Sequence, residues 1–117
     1  MDLVSVEEVS LAPSGRAAIA TGLAMEIPTG FEGQVRPRSG LAIKYGIGLL
    51  NSPGTIDPGY RGEVKVILIN HSEVEFVVRP GDRIAQLVIG SYAAVEWTLA
   101  ESLEASERAA GGFGSTG

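Results

Sequence analysis

The sequence contains no cysteine, which excludes disulfides and thiolate metal sites outright. Aromatic residues make up only 6%, so a hydrophobic content of 44% points to a core of Val, Ile, Leu and Ala. The one histidine, His71, follows Asn70 at the end of an apolar run and reads as a solvated turn residue rather than a general base or metal ligand. Nine basic residues stand against fourteen acidic ones, a formal net charge of −5. That balance argues against a nucleic-acid partner, because binding an extended phosphate backbone requires a basic field. A small phosphorylated ligand remains compatible with it, since a few arginines, backbone amides and a divalent cation suffice. No apolar run is long enough to span a bilayer, so no membrane partner is expected. The opening MDLVSVEEVS lacks the basic start, apolar stretch and cleavage site of a signal peptide, and the expected location is cytoplasmic.

What is present is alternation. The segments LVSV, RAAIATGLAMEI, GQVRP, EVKVILIN, EVEFVV and RIAQLVIGSY are separated by the turn signals APSG, PTG, SPG, DPG and RPG. With 16 glycines and 6 prolines, this predicts an all-β sandwich or barrel with tight turns and no long helix. A chain of 117 residues fits one domain with a limited core, and an exposed apolar face would favour a symmetric oligomer. In SGLAIKYG, Ser39 is expected to cap one helical turn that Gly46 ends. In IDPGY, Pro58 and Gly59 suit the centre of a type II turn projecting Asp57 and Tyr60 from its two ends. From about Glu101 onward the chain reads as an arm, in which ESLEASERAA has the composition of a short helix.

Four stretches carry groups capable of chemistry. RPRSG offers the planar guanidinium of Arg38, the hydroxyl of Ser39 and, at Gly40, a backbone N–H that a ligand can approach without meeting a side chain. These groups suit a phosphate, or they form an ordinary surface turn. NSPGTIDPGYRGE sets an amide (Asn51), a carboxylate (Asp57) and a phenol (Tyr60) around two Gly/Pro turns. Either these groups build a binding hairpin, or Asn51 and Asp57 satisfy turn amides while Tyr60 packs on a sheet edge. In RPGDRIAQLVIG, Ile84, Leu87 and Val88 are expected to pack and Asp82 to pair with Arg83; Gln86 either faces solvent or reaches a polar ligand. The tail RAAGGFGSTG presents Arg108, Ser115, Thr116 and several amides to an anion and Phe113 to a flat ring, or it is merely flexible.

Taken in order, DL near the start, RPRSGLA, NSPGTIDPGYRGE, GDRIAQLV and RAAGGFGSTG resemble the five motifs of the trimeric deoxyuridine triphosphatases, the dUTPases. The resemblance spans nearly the whole chain. It implies a distorted jelly roll or sandwich-like barrel (1–100) with a C-terminal arm (101–117), and a homotrimer with shared active sites. It further implies that dUTP is cleaved between its α- and β-phosphates to dUMP and pyrophosphate, with Mg²⁺ on the triphosphate. Carried over, Asp57 resembles the general base, Tyr60 the residue lying against the deoxyribose, and Asn51 the reader of the uracil edge. Arg38, Ser39, Gly40 and Gln86 match phosphate-binding positions. Phe113 would cover the uracil and Arg108, Gly114, Ser115 and Thr116 close over the phosphates, while Asp2 would contact the metal through water.

Two departures accompany the resemblance. Family members carry an N-terminal strand and an Ala-Gly pair before the Asp-Leu of the first motif, whereas Met1 directly precedes Asp2, so a shortened or late-started N-terminus is expected. Ala109 stands where the family often has glycine, and a positive φ there would restrict arm closure. Two other functions suit the same scaffold: a dCTP deaminase, alone or bifunctional, and a catalytically idle nucleotide-binding regulator.

Overall fold

A computed structural model of the chain describes residues 1–115. Nine strands are arranged as β1 (Asp2–Val4), β2 (Val9–Leu11), β3 (Arg16–Ala20), β4 (Phe31–Arg36), β5 (Ile47–Leu49), β6 (Gly54–Ile56), β7 (Lys65–Asn70), β8 (Phe76–Val78) and β9 (Arg83–Ser91). One helix, α1 (Ser39–Tyr45), lies between β4 and β5. The strands form three antiparallel sheets, ordered β1-β9-β4-β6, β3-β7-β5 and β2-β8, which do not close into a complete barrel. The fold is all-β, as the alternating sequence predicts.

The alternation has a direct physical consequence. In β7, Val66, Leu68 and Asn70 point inward while Lys65 faces solvent, because successive side chains leave a strand on opposite faces. Leu3, Ile19, Val35, Ile47, Val64, Val78 and Ile84 meet Val66 and Leu68 in one aliphatic core. Asn70 is the polar exception in this inward row, and its amide is fully satisfied. Nδ2 donates to the carbonyls of Leu11 (3.0 Å) and Val74 (2.9 Å), while Oδ1 accepts from the N–H (2.9 Å) and hydroxyl (2.8 Å) of Ser72. The side chain thereby joins β2 to the turn that follows β7.

Pairing between β1 and β9 contains a bulge. Asp2 is opposite Gln86 and Leu3 opposite Ala85, but Val4 is opposite Arg83, leaving Ile84 as the extra residue. Ile84 and Ala85 are therefore both buried in succession. Val88, expected to pack, lies on the outward face instead, and Ala85 takes an inward place.

Regular structure ends at Ser91. Residues 92–115 contain neither strand nor helix, so ESLEASERAA, for all its helix-compatible composition, stays irregular as part of the arm. The expected arm boundary near Glu101 falls inside this exposed stretch. Its projection explains a radius of gyration of 18.7 Å, against about 13 Å for a compact chain of this length. Among the described residues no helix is long and apolar enough to cross a membrane.

Candidate active site

The first group of site residues gathers where β1, β9 and α1 meet. The β9 bulge determines this: Arg83 and Gln86 are an odd number of residues apart and would face opposite sides of a regular strand. With Ile84 inserted, both stand outward beside Asp2. The Asp2 carboxylate lies 3.5 Å from Nη1 of Arg83 and 3.9 Å from Nε of Arg38. Arg38 also donates through Nη1 to the Arg83 carbonyl at 3.2 Å. Arg83 thus pairs with Asp2 and not, as expected, with Asp82, whose carboxylate instead accepts the Arg79 N–H at 2.8 Å.

Helix α1 begins differently from the sequence expectation. Arg38, with extended backbone (φ −102°, ψ 130°), is the N-cap, and Ser39 is the first helical residue with no capping bond from its side chain. The Ser39 hydroxyl is consequently not consumed by the helix. Gly46 ends the helix in the left-handed conformation (φ 66°), as read from the sequence. Gly40 is exposed, and a Cβ added there would meet nothing within 4 Å. The corner therefore offers Arg38, Ser39, Gly40, Arg83 and Gln86 on one open surface. It borders a groove of about 750 Å³ lined in part by Leu41, Tyr45 and Phe76.

The second group sits on the loop between β6 and β7. The Tyr60 N–H donates to the Asp57 carbonyl at 3.1 Å, closing a turn with Asp57 and Tyr60 at its ends. Gly59 is not left-handed, so this is not the type II turn expected from Pro58-Gly59. Pro58 suits either turn type, and the tertiary setting of the loop decides between them. The loop braces itself: Nη1 of Arg61 donates to the carbonyls of Pro58 (2.8 Å) and Tyr60 (3.2 Å), and the Tyr60 hydroxyl donates to the Glu63 carbonyl (2.6 Å). A Glu63 carboxylate oxygen accepts the Gly22 N–H at 3.0 Å, tying the loop to the body. The exposed Asp57 carboxylate has no hydrogen-bond or salt-bridge partner among the described residues, so it is free to accept a proton or a water hydrogen. Asp57 and Tyr60 line a cavity of about 340 Å³ with Thr55, Glu63 and Lys65. Asn51 is exposed before β6, its amide nitrogen 3.3 Å from the position a Cβ at Gly54 would take.

Strand β4 measures how far apart these groups are. Arg36 is level with Gln86 on one side, whereas Gly33 is level with Ile56 on the other, which places Asp57 beyond Ile56 toward Glu32. At about 3.4 Å per residue along β4 and about 4.8 Å between neighbouring strands, the Asp57 and Gln86 positions are roughly 17 Å apart. One chain therefore does not bring the carboxylate hairpin onto the arginine corner.

The arm joins neither group. Its hydrogen bonds are local: Arg108 Nε donates to the Gly111 carbonyl (2.6 Å), Gly111 N–H to the Arg108 carbonyl (2.9 Å) and Ser115 N–H to the Gly112 carbonyl (3.0 Å). Phe113 is fully exposed, and Ala109 (φ 47°), Phe113 (φ 53°) and Gly114 (φ 80°) all take positive φ. Thr116 lies outside the described residues.

Among the described residues no three His, Cys, Asp or Glu side chains cluster to cage a metal. The carboxylate of Asp2, about one-third exposed, is the oxygen donor beside the arginine corner. This donor set fits Mg²⁺ only in the form in which the ion keeps most of its own waters and takes other ligands from substrate phosphates.

Sequence reading missed three contributors. Arg83 was hidden by the bulge, which no local pattern announces. Arg61 and Glu63 stand within YRGE, but their bracing role depends on how the loop folds back. The hydrophilic Arg-Gly-Glu run before a long apolar strand was the available signal.

A dUTPase family model matches residues 1–117. The deoxyuridine 5'-triphosphate nucleotidohydrolase of Anaeromyxobacter sp. (strain Fw109-5) is 57% identical over the whole chain, which covers 80% of that relative. The enzyme of the same name from Solibacter usitatus (strain Ellin6076) is also 57% identical, with 79% of its length covered. A solved Staphylococcus bacteriophage 80alpha dUTPase variant with dUpNHpp superposes with a TM-score of 0.91 at 30% identity, covering 99% of this chain and 84% of that one. A dUTPase variant from phage phi11 of S. aureus, described with a structural Mg(II) ion, gives a TM-score of 0.82 at 27% identity, covering 89% and 84%. Fold and site together define an all-β jelly roll that bears an arginine corner and a separate carboxylate hairpin. The chain belongs to the dUTPase family.

Proposed function

We propose that this protein hydrolyses dUTP to dUMP and pyrophosphate in active sites shared by three copies of the chain. The observation that carries this reading is the self-braced turn with an unpartnered Asp57 carboxylate at one end and Tyr60 at the other, both bordering one cavity. Asp57 accepts a proton from a water that attacks the α-phosphorus. The new bond is from water oxygen to phosphorus, and the bond broken is from that phosphorus to the bridging oxygen, which departs with pyrophosphate. The half-exposed Tyr60 ring forms a wall against the sugar and excludes a 2′-hydroxyl. Asn51 reads the uracil edge.

Arg38, Ser39, Gly40 and Gln86 bind the phosphates and hold them in line for attack. Arg83 joins them by virtue of its place beside Asp2. Bound Mg²⁺ neutralises triphosphate charge, and Asp2 is the residue that would hold it, through water. Arg108, Phe113, Gly114, Ser115 and Thr116 close over the nucleotide from the arm (101–117), while the remaining residues (1–100) form the body.

The roughly 17 Å between the Asp57 and Gln86 positions supports sharing, because a base must come within hydrogen-bond reach of the water it activates. A homotrimer can supply the hairpin from one copy and the arginine corner from another. The exposed Val95, Trp97 and Leu99, alternating with polar Glu96 and Thr98, give the segment leading into the arm an apolar edge to bury on a neighbour. The reaction lowers dUTP and supplies dUMP for thymidylate synthesis.

Pyrophosphate release from dUTP, UTP, dTTP and dCTP with Mg²⁺ tests the proposal, with Asp57→Asn alongside and the mass in solution measured. Hydrolysis confined to dUTP, a trimeric mass and loss of turnover in the variant are expected. Ammonia from dCTP would indicate deamination, and nucleotide binding without turnover an idle regulator; either result overturns the proposal.

A further inference from the structure

We infer that Gly62 is the positioning residue for the Tyr60 ring and thereby sets sugar selectivity, an inference that rests on the reading of Tyr60 proposed above. The loop contains two glycines with opposite surroundings. A Cβ added at Gly59 would meet nothing within 4 Å. One added at Gly62 would stand 2.5 Å from the Tyr60 hydroxyl oxygen, 2.7 Å from Cζ and 3.0 Å from Cε1. Neither glycine occupies the left-handed region, so backbone conformation does not demand the missing side chain at either position. At Gly62 the space is taken by the tyrosine ring itself.

The reason is the route of the ring. Tyr60 folds back over residue 62 so that its hydroxyl reaches the Glu63 carbonyl at 2.6 Å. Glu63 is in turn held to the body through the Gly22 N–H, and the next carbonyl, that of Val64, accepts the Thr21 hydroxyl. A methyl group at position 62 would meet the mobile end of a side chain, so the ring yields and the hydroxyl leaves its acceptor. Asp57 and the turn bond that supports it lie outside this contact. Displacing the ring moves the wall against the sugar while the base stays in place.

The test compares kcat/KM for dUTP and UTP in wild type, Gly62→Ala and Gly59→Ala. The dUTP-to-UTP preference should fall about tenfold or more in Gly62→Ala, with UTP turnover rising relative to dUTP, and remain at the wild-type value in Gly59→Ala. A Gly62→Ala protein that hydrolyses dUTP with wild-type preference overturns the role of Gly62 alone. A wild type that turns over UTP as readily as dUTP overturns the reading of Tyr60 beneath it. A double-mutant cycle covers the case in which Gly62→Ala folds poorly. Its effect on thermal stability should disappear in a Tyr60→Ala background, and a loss of the same size in both backgrounds would place the requirement in the backbone and refute the inference.

Discussion

The backbone N–H of Tyr60 donates to the carbonyl of Asp57 at 3.1 Å, so the carboxylate and the phenol are mounted on the two ends of one turn. The Asp57 side chain itself is free, and replacing it removes a proton acceptor without removing a structural bond. Asp57→Asn should lower kcat for dUTP by about 10²- to 10⁴-fold while leaving dUTP affinity and melting temperature near wild type. Steady-state kinetics, nucleotide titration and thermal melts check this; an active variant removes Asp57 as base.

Gly40 has open space around it in the free chain, so its lack of a side chain serves an incoming ligand rather than packing. Gly40→Ala should melt like wild type yet raise KM for dUTP about tenfold or more, because a methyl group would stand where a phosphate approaches the backbone N–H. Unchanged KM would place the triphosphate elsewhere.

The arm makes no backbone or side-chain hydrogen bond to the body through residues 106–115 among the described residues. A chain ending at Glu107 should keep the trimeric mass but lose about 100-fold in kcat/KM, since closure positions the phosphates and excludes water. Refolding this truncated chain together with Asp57→Asn should generate activity that neither parent has, because mixed trimers contain sites with an intact base and an intact arm. Activity that never exceeds the sum of the parents would argue against sharing.

Ala109 has φ 47°, a left-handed conformation that disfavours alanine by about 1 kcal/mol or more. With that φ kept in the closed arm, Ala109→Gly should ease closure and lower KM for dUTP by up to about fivefold, with kcat little changed. Kinetics of the single variant decide this, and a higher KM would show that stiffness at the base of the arm is favourable.

Asn70 makes four hydrogen bonds at the inward end of β7. Asn70→Ala leaves the Leu11 carbonyl and the Ser72 N–H without their partner, and should cost about 2–4 kcal/mol. Chemical denaturation, followed at fixed protein concentration because assembly contributes to stability, measures the loss.

Much of the fold was legible because strand alternation and turn residues are local signals. GQVR in β4 alternates as its burial does, and Gly46 ends α1 as its freedom at positive φ suggests. Val88 faces outward although LVIG is an unbroken apolar run; such a run does not announce which residue faces inward. Ser39 lies one position inside the helix: a serine at a helix start is a good cap, but the chain enters α1 with Arg38 at that place.

The sequence by itself determined the chemical inventory: Asp57 beside Tyr60, Arg38-Ser39-Gly40 in one stretch, and a tail too poor in apolar groups to order itself by packing. These are matters of residue type and short spacing. Only the tertiary structure decided that a bulge turns Arg83 and Gln86 to the same side as Asp2, that Tyr60 fills the space above Gly62, and that β4 holds the hairpin and the arginine corner apart. Each of these depends on register between strands distant in sequence or on a side chain folding back across its own loop. Strand register and loop packing are set by burial of the whole core, and no local window of sequence contains them.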